Sequence, residues 1–455
     1  MEMVLEFLRD VLSQPALLIG IMSCVGLIAL KRPFHKIMTG TLKPILGYLM
    51  LAAGAGVIVS NLDPLGKMIE HGFHITGVVP NNEAIVAVAQ KVLGVETMSI
   101  LVVGLLMNLC IARFTKFKYV FLTGHHSLFM ACLMSAVLGT AGLAGMELIL
   151  VGGFLMGAWS AISPAIGQSY TSKVTDGDEI AIGHFGSLGY YLSAWVAKYV
   201  GKAEDSTEDI EIPEKWGFLR DSTLSTALTM IVFYLIAAFA AGSEFVSTLS
   251  GEMSPYLYAV MSAMNFAVGV TIVYSGVRMI LGDLIPAFQG IATKIIPNAI
   301  PAVDCAVFFT YAPTAVVLGF LSSFIGGIIG MLILGAVGGV LIIPGLVPHF
   351  FCGATAGIYG NATGGRRGAA VGAFLNGLAI TFLPALALPV LGQLGFQNTT
   401  FGDADFAVMG LVLGNAYEWV GMAGIYGIVA IAALVLIIPN FIKTKSKVIN
   451  YVEED

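Results

Sequence analysis

Charge is what this chain has least of. Only 11% of its 455 residues are Asp, Glu, Lys or Arg, against roughly 25% in ordinary soluble domains. The 22 basic residues form no stripe and the formal net charge is -6, which excludes nucleic acid as a partner. Cysteines are few. Cys24, Cys110, Cys132, Cys305 and Cys352 all lie in apolar runs without a CxxC pair, so they read as buried small hydrophobes and not as metal ligands. There is no Walker-type glycine loop, no G-x-S-x-G elbow and no nucleotide fingerprint. Nothing supports ATP hydrolysis, and no cofactor or metal is expected. The N-terminus also lacks a cleavable signal pattern, since Glu2 and Glu6 precede the first apolar run and no A-x-A site follows it.

What the chain has instead is apolar length. It is 57% hydrophobic with a mean hydropathy of +0.89, and its 55 glycines suit helices that approach closely in a bilayer. The fold class that follows is an all-α polytopic membrane protein. Apolar runs of near 20 residues give about eleven transmembrane helices: 13–30, 40–60, 97–112, 120–143, 147–167, 223–243, 256–277, 314–335, 338–360, 368–392 and 419–441. Lysine and arginine cluster after the odd-numbered spans only: Lys31 and Arg32, Arg113 and Lys116, Lys198 and Lys202, Arg278, Arg366 and Arg367, Lys443 and Lys445. The positive-inside rule then places the N-terminus outside and the C-terminus in the cytoplasm.

Landmarks recur at one spacing. Pro80 and Glu83 lie 221 positions before Pro301 and Asp304, as Gly124 lies before Gly345. Asn61-Leu62-Asp63 and Asp283-Leu284-Ile285 run into Pro64 and Pro286 at a spacing of 222. Given the charge-derived orientation, the 40–60 and 256–277 spans run in opposite directions. The halves, about 13–200 and 223–441, therefore read as inverted repeats within a single integral membrane unit, 1–455. Such repeats point to alternating access, with the substrate near broken helices at the bilayer midplane. Three segments, 76–96, 178–200 and 283–305, are too broken by glycine and proline for full spans and read as re-entrant or half-helix elements. The acidic stretch 201–221 reads as a cytoplasmic loop, either a solvated connector or a docking or hinge element.

Few residues inside the apolar frame can do chemistry. Asp304, in Pro301-Ala302-Val303-Asp304-Cys305, opens an apolar run. It is read both as a helix N-cap and as an acceptor for substrate hydroxyls. Glu83 follows Asn81 and Asn82, which already read as turn and cap. His125 and His126 follow Gly124, and His184 follows Gly183. A lone histidine in an apolar frame is usually structural, but the preceding glycines allow close backbone approach and favour a site. As metal ligands they lack partners at ligand spacing. Gly364-Gly365-Arg366-Arg367 is explained as an inner-face anchor.

Eight ordered strings together resemble one family, the membrane (IIC) component of the ascorbate-type phosphoenolpyruvate-dependent phosphotransferase system. They are GTLKPILGYLMLAAGAG (40–56), FLTGHHSLF (121–129), VTDGDEIAIGH (174–184), EDIEIPEKWGFLRDSTLSTA (208–227), GVRMILGDLIPAFQGI (276–291), IPNAIPAVDCA (296–306), APTAVVLGF (312–320) and LIIPGLVPHFF (341–351). The resemblance implies a homodimeric permease in the bacterial cytoplasmic (inner) membrane, with a substrate-carrying core and a dimerising scaffold interleaved in sequence. It implies elevator-like transport of ascorbate or a related sugar or polyol. A phosphorylated IIB partner would modify the substrate on the cytoplasmic side, so the chain would not be an enzyme by itself. It also implies substrate contacts at Asn82, Glu83, Ala84, His125, His184 and Asp304.

The chain departs from the ascorbate-binding members at three of these places. Phe129 and Phe185 stand where those members carry glutamine, and Glu83 stands where a neutral residue is usual. Lost amide bonds, each worth about 0.5–1.5 kcal/mol, and a carboxylate facing an anion both shift the expectation toward a neutral sugar or polyol, whose C–H face suits aromatic rings. From residue chemistry alone, an ion- or proton-coupled transporter using Asp304, Glu83 and the histidines as a relay stays open. A channel or receptor would not need the duplicated broken helices.

Overall fold

The computed structural model describes residues 11, 14–74, 77–78, 80, 82–177, 180–210, 222–392 and 400–441. Its helices are α1 (Pro15–Ala29), α2 (Phe34–Phe73), α3 (Asn82–Phe114), α4 (Gly124–Thr140), α5 (Gly145–Val174), α6 (Ser187–Val200), α7 (Ser222–Ala241), α8 (Ser243–Ser250), α9 (Pro255–Lys294), α10 (Pro313–Ala336), α11 (Leu346–Gly392), α12 (Ala404–Val420) and α13 (Met422–Phe441). Between them lie three short strands, β1 (Tyr119–Phe121), β2 (Ala181–Ile182) and β3 (Ile300–Val303), and a 3-10 helix, Cys305–Thr310. Pro15, Pro255 and Pro313 open their helices, where a missing N–H costs nothing. The chain is a helical, multi-pass membrane protein.

The expected count of eleven crossings is not reproduced. Seven helices among the described residues are long and apolar enough to cross, or eight if the bent pair α7 and α8 is one span. Helices α1 and α4, at 15 and 17 residues, fall short of the roughly 20 a bilayer core needs. Conversely, the 47 residues of α11 turn back on themselves. Gly365 takes φ 58°, a left-handed conformation that glycine adopts without strain, and Gly360 packs on Gly368 across the turn. Both arms, 346–363 and 366–392, meet Ser323 of α10, through Gly353 and Gly377.

Two of the three expected broken segments are shifted. Residues 283–294 continue α9 despite Pro286, so the break falls between Lys294 and Asp304. Helix α3 begins at Asn82, which leaves only the start of 76–96 non-helical. The third segment is extended through 180–186 and helical from Ser187. Of the acidic loop, 211–221 lies outside the described residues. The rest has a definite job: the Glu208 carboxylate accepts from Thr314 N (3.0 Å), Thr314 Oγ1 (2.9 Å) and Ala315 N (3.1 Å). It supplies from outside the N-cap that Ala312 cannot give α10.

Helices α2 and α9 are each 40 residues long, about 60 Å at 1.5 Å per residue. They run antiparallel, with Gly47 against Gly276 and Gly54 against Gly269. A Cβ on Gly54 would stand 2.7 Å from the Gly269 carbonyl oxygen, and one on Gly276 would stand 2.6 Å from that of Gly47. Backbones touch here because no side chain intervenes, which is how membrane helices gain packing energy. Gly276→Val is therefore expected to lower stability by about 1–3 kcal/mol, read as thermal unfolding of the purified chain. Gly282→Val, on the same helix with nothing within 4 Å of its Cβ position, is the control. Equal effects at the two positions would refute this account of the packing. The bounds of α2 and α9 stand 221 positions apart at both ends.

The strands pair in parallel in the order β1-β3-β2, with Val120 opposite Pro301 and Ile182 opposite Val303. Side chains alternate across a strand, and here they divide two apolar cores. Val120, Ile182 and Val303 join the core that includes Tyr48 and Phe350. Phe121, Ala181 and Ala302 join the one around Met134 and Phe406. A buried sheet edge must find partners. Asn108 on α3, 2% exposed, donates to Tyr119 O (3.1 Å) and accepts from Phe121 N (3.0 Å), so it binds the free edge of β1 as a strand would. Gln168 on α5 donates to Ile180 O (3.0 Å) beside β2.

Candidate functional site

Parallel strands end on the same side, and that shared end holds the polar residues. Strand β1 runs through Leu122 and Thr123 into the first turn of α4, which carries His125 and His126. Strand β2 runs through Gly183 into His184 and Phe185, just before α6. At Gly183 a Cβ would strike the Ala302 carbonyl of β3, so the strands close up only because this residue is glycine. Strand β3 ends at Asp304, whose Oδ1 accepts from Ala306 N at 3.1 Å and caps the 3-10 helix. Three strand ends and three helix N-termini thus face one point. The positive ends of the helix dipoles therefore point toward this end of the sheet.

His125, the more exposed of the pair, bridges two elements. Its Nε2 lies 3.4 Å from Asp304 Oδ2, and its Nδ1 lies 3.3 Å from the Tyr48 hydroxyl on α2. His126 and His184 are buried, with ring centroids 3.8 Å apart. Phe185 N donates to His126 Nδ1 (3.3 Å), and Gly186 N donates to His184 Nδ1 (3.1 Å). A backbone N–H can only donate, so each Nδ1 is the acceptor nitrogen and each neutral ring carries its proton on Nε2. His184 therefore offers the site a donor.

A second arm comes from α12. Asp403, at its N-cap position, makes no cap bond to its own helix. Its Oδ2 instead accepts from Asn82 Nδ2 (2.6 Å), the first residue of α3, and its Oδ1 from Cys352 Sγ (2.8 Å). The same Oδ1 lies 4.0 Å from His184 Nδ1. Asn82 Oδ1 in turn accepts from Gly402 N (2.9 Å). Asp405, fully buried, accepts from Ser187 Oγ (2.8 Å), Leu188 N (2.9 Å) and Trp159 Nε1 (3.3 Å). It caps α6 from outside and ties it to α5 and α12.

Sequence reasoning finds one wall of this site and misses another. His125, His184 and Asp304 come together, and Asn82 joins them through Asp403. Phe129 packs edge-on to His125 (5.8 Å) and beside His126 (5.7 Å). Phe185, with no exposed surface, stacks on Phe121 at 4.6 Å and meets Phe406 at 5.6 Å. It supports the histidines from behind. Glu83 and Ala84 lie in the first turn of α3, and their side chains lie outside the described residues. The residues missed are Tyr48, Cys352, Asp403, Asp405 and Tyr190, whose hydroxyl lies 2.8 Å from His184 Nδ1. The string Phe401-Gly402-Asp403-Ala404-Asp405-Phe406 opens an apolar run just as Asp304 does, and that signal could have found the two aspartates.

Two triads have ligand atoms within 4.8 Å of one another: His126, His184 and Asp403, and His184, Asp304 and Cys305. With both Nδ1 atoms engaged by backbone amides, the rings present N–H groups and act as hydrogen-bond donors in this arrangement. Two imidazole donors beside two carboxylate acceptors suit a ligand rich in hydroxyl groups, since each hydroxyl both donates and accepts.

Comparison with known proteins points the same way. A family model described as the PTS system sugar-specific permease component matches residues 10–405. The chain is 28% identical to a Mycoplasma pneumoniae protein named the ascorbate-specific PTS system EIIC component, over 78% of this chain and 62% of that relative. The match thus spans less than two thirds of the relative's length.

Proposed function

The chain belongs to the family of sugar-specific permease components of the phosphotransferase system, and from that premise we propose that it carries ascorbate, or a related sugar or polyol, across a bacterial inner membrane for phosphorylation by a soluble IIB partner. The observation that carries this reading is the convergence of His125, His184 and Asp304 at one end of three parallel strands. Asp304 accepts from substrate hydroxyls, while His125 and His184 donate through Nε2. Asn82, Glu83 and Ala84 open the facing helix α3, and Phe129 and Phe185 shape the aromatic wall. The chain holds no phosphoryl group itself; the IIB partner performs that transfer.

The transport cycle is elevator-like movement of a core past a scaffold, within a homodimer whose N-terminus is outside and C-terminus cytoplasmic. The scaffold is α1, α2 and α7–α9, and the core is α3–α6 with α10–α13. Two inverted repeats, about 13–200 and 223–441, build both parts. Support comes from the spacing of 221 that relates α2 to α9, and from their antiparallel packing through Gly47 and Gly276. The same spacing relates α4 and α5 to the two arms of α11.

Uptake of labelled ascorbate, xylitol and galactitol should be measured in cells with and without the soluble phosphocarrier proteins. The expected result is sugar phosphate inside cells that have them and loss of uptake in cells that do not. Accumulation of unmodified substrate, collapsed by an uncoupler, would overturn the reading in favour of ion coupling.

A further inference from the structure

Asp403 is placed and bonded unlike a structural aspartate. It stands at the N-cap of α12, where its ordinary use would be to accept from that helix, and it does not do so. Its carboxylate turns to His184, held by Asn82 Nδ2 and Cys352 Sγ. Asp405, two residues on, already does the structural work with three donors. Asp403 is 5% exposed and Asp304 is 7% exposed, and ligand atoms of both lie within 4.8 Å of those of His184. The basic side chains beside the two carboxylates are histidines, His125 at 3.4 Å from Asp304 and His184 at 4.0 Å from Asp403, and the His184 atom nearest Asp403 is its acceptor Nδ1, so Asp403 gains no ion pair there. His184 and its neighbour His126 are held in the neutral Nε2–H form by backbone amides.

We infer that Asp403 is a second acidic pole of the substrate site, and that together with Asp304 it selects a neutral polyhydroxyl ligand over an anionic one. The inference rests on the permease reading above and adds a residue and a charge rule to it. The physical reason is the sign of what surrounds His184. A carboxylate accepts hydrogen bonds and never donates. Two of them at the edges of one imidazole pair give a hydroxyl-bearing ligand two places to donate. The imidazole Nε2–H groups give its oxygens donors in return. An anionic ligand such as the ascorbate enolate would bring a third negative charge beside the two neutral buried histidines, His126 and His184, and like charges so placed in a buried site strongly oppose binding. Cys352 and Asn82 then have a clear role: their bonds fix the Asp403 carboxylate without cancelling its charge.

The test uses the purified full-length chain, with thermal unfolding measured against titrated xylitol, galactitol and ascorbate. For wild type, at least one neutral polyol is expected to protect at a concentration at least tenfold below that needed for ascorbate. Asp403→Asn keeps the shape and removes the charge. It is expected to weaken the neutral polyol by at least tenfold and to narrow the gap to ascorbate, with a modest fall in the ligand-free unfolding temperature, because asparagine keeps only one of the two acceptors that meet Asn82 and Cys352. Cys352→Ala, which removes one bond but leaves the charge, is expected to keep the wild-type order of preference. Protection of wild type by ascorbate at equal or lower concentration overturns the inference and leaves the permease reading intact. Unchanged polyol affinity in Asp403→Asn also overturns it. If no ligand protects and cells show no uptake, both the inference and the underlying reading fail.

Discussion

Replacing Asp304 by asparagine should cut uptake by roughly a hundredfold while leaving the protein folded. Asparagine is as good an N-cap as aspartate, so the bond from Ala306 N and the 3-10 helix survive. What is lost is the charge beside His125 Nε2 at 3.4 Å and the acceptor that substrate hydroxyls meet. A hydrogen bond to a charged group contributes about 1.5–3 kcal/mol, and each 1.4 kcal/mol is a factor of ten in affinity. Initial uptake rates in cells, together with thermal unfolding of the purified variant, check both halves of the statement. Wild-type uptake in this variant would remove Asp304 from the site.

Asp405→Ala should act in the opposite manner, through stability first. Its carboxylate is fully buried and satisfies the Ser187 hydroxyl, the Leu188 amide and the Trp159 indole. Alanine would leave three buried donors without an acceptor, and such losses cost about 1–3 kcal/mol each before relaxation. A loss of about 3–5 kcal/mol is expected, seen as a large drop in unfolding temperature and in membrane yield. Because α6 follows directly from His184, substrate protection should disappear as well. Asp405→Asn keeps one acceptor and should recover part of the stability. An alanine variant as stable as wild type would show that these bonds contribute nothing.

The contrast between the two aspartates shows which parts of the molecule were legible. Helices were, because twenty apolar residues in a row admit few other structures. Their lengths were less so: hydropathy marked 40–60 and 256–277, whereas α2 and α9 extend to 40 residues through Pro64 and Pro286. Polar flanks outside the apolar centre carry no hydropathy signal but propagate as helix when packed. The strands were invisible. Tyr119–Phe121 and Ala181–Ile182 are two or three residues inside apolar frames, and runs that short cannot be told from helix by periodicity. Their meaning comes from pairing with Ile300–Val303, which is a long-range fact. His125, His184 and Asp304 stood out as polar residues in apolar context. Phe185 stood out only because the resembling family carries glutamine at that place, and its ring packs behind the histidines against Phe121.

The small sheet also sets an order of events during synthesis. Its central strand is made last: β3 pairs with Tyr119 and Ala181, which precede it by roughly 180 and 120 residues. At a ribosome speed of about 5–20 residues per second, β1 and β2 wait on the order of ten seconds for their shared neighbour. During that interval Asn108 and Gln168 can cover the outer edges of the sheet, but the inner edges have no partner. The first half of the chain can insert its helices early and still cannot finish its own substrate wall. A nascent chain stalled before Ile300 is thus a species whose β1 and β2 still lack the backbone partners that β3 supplies.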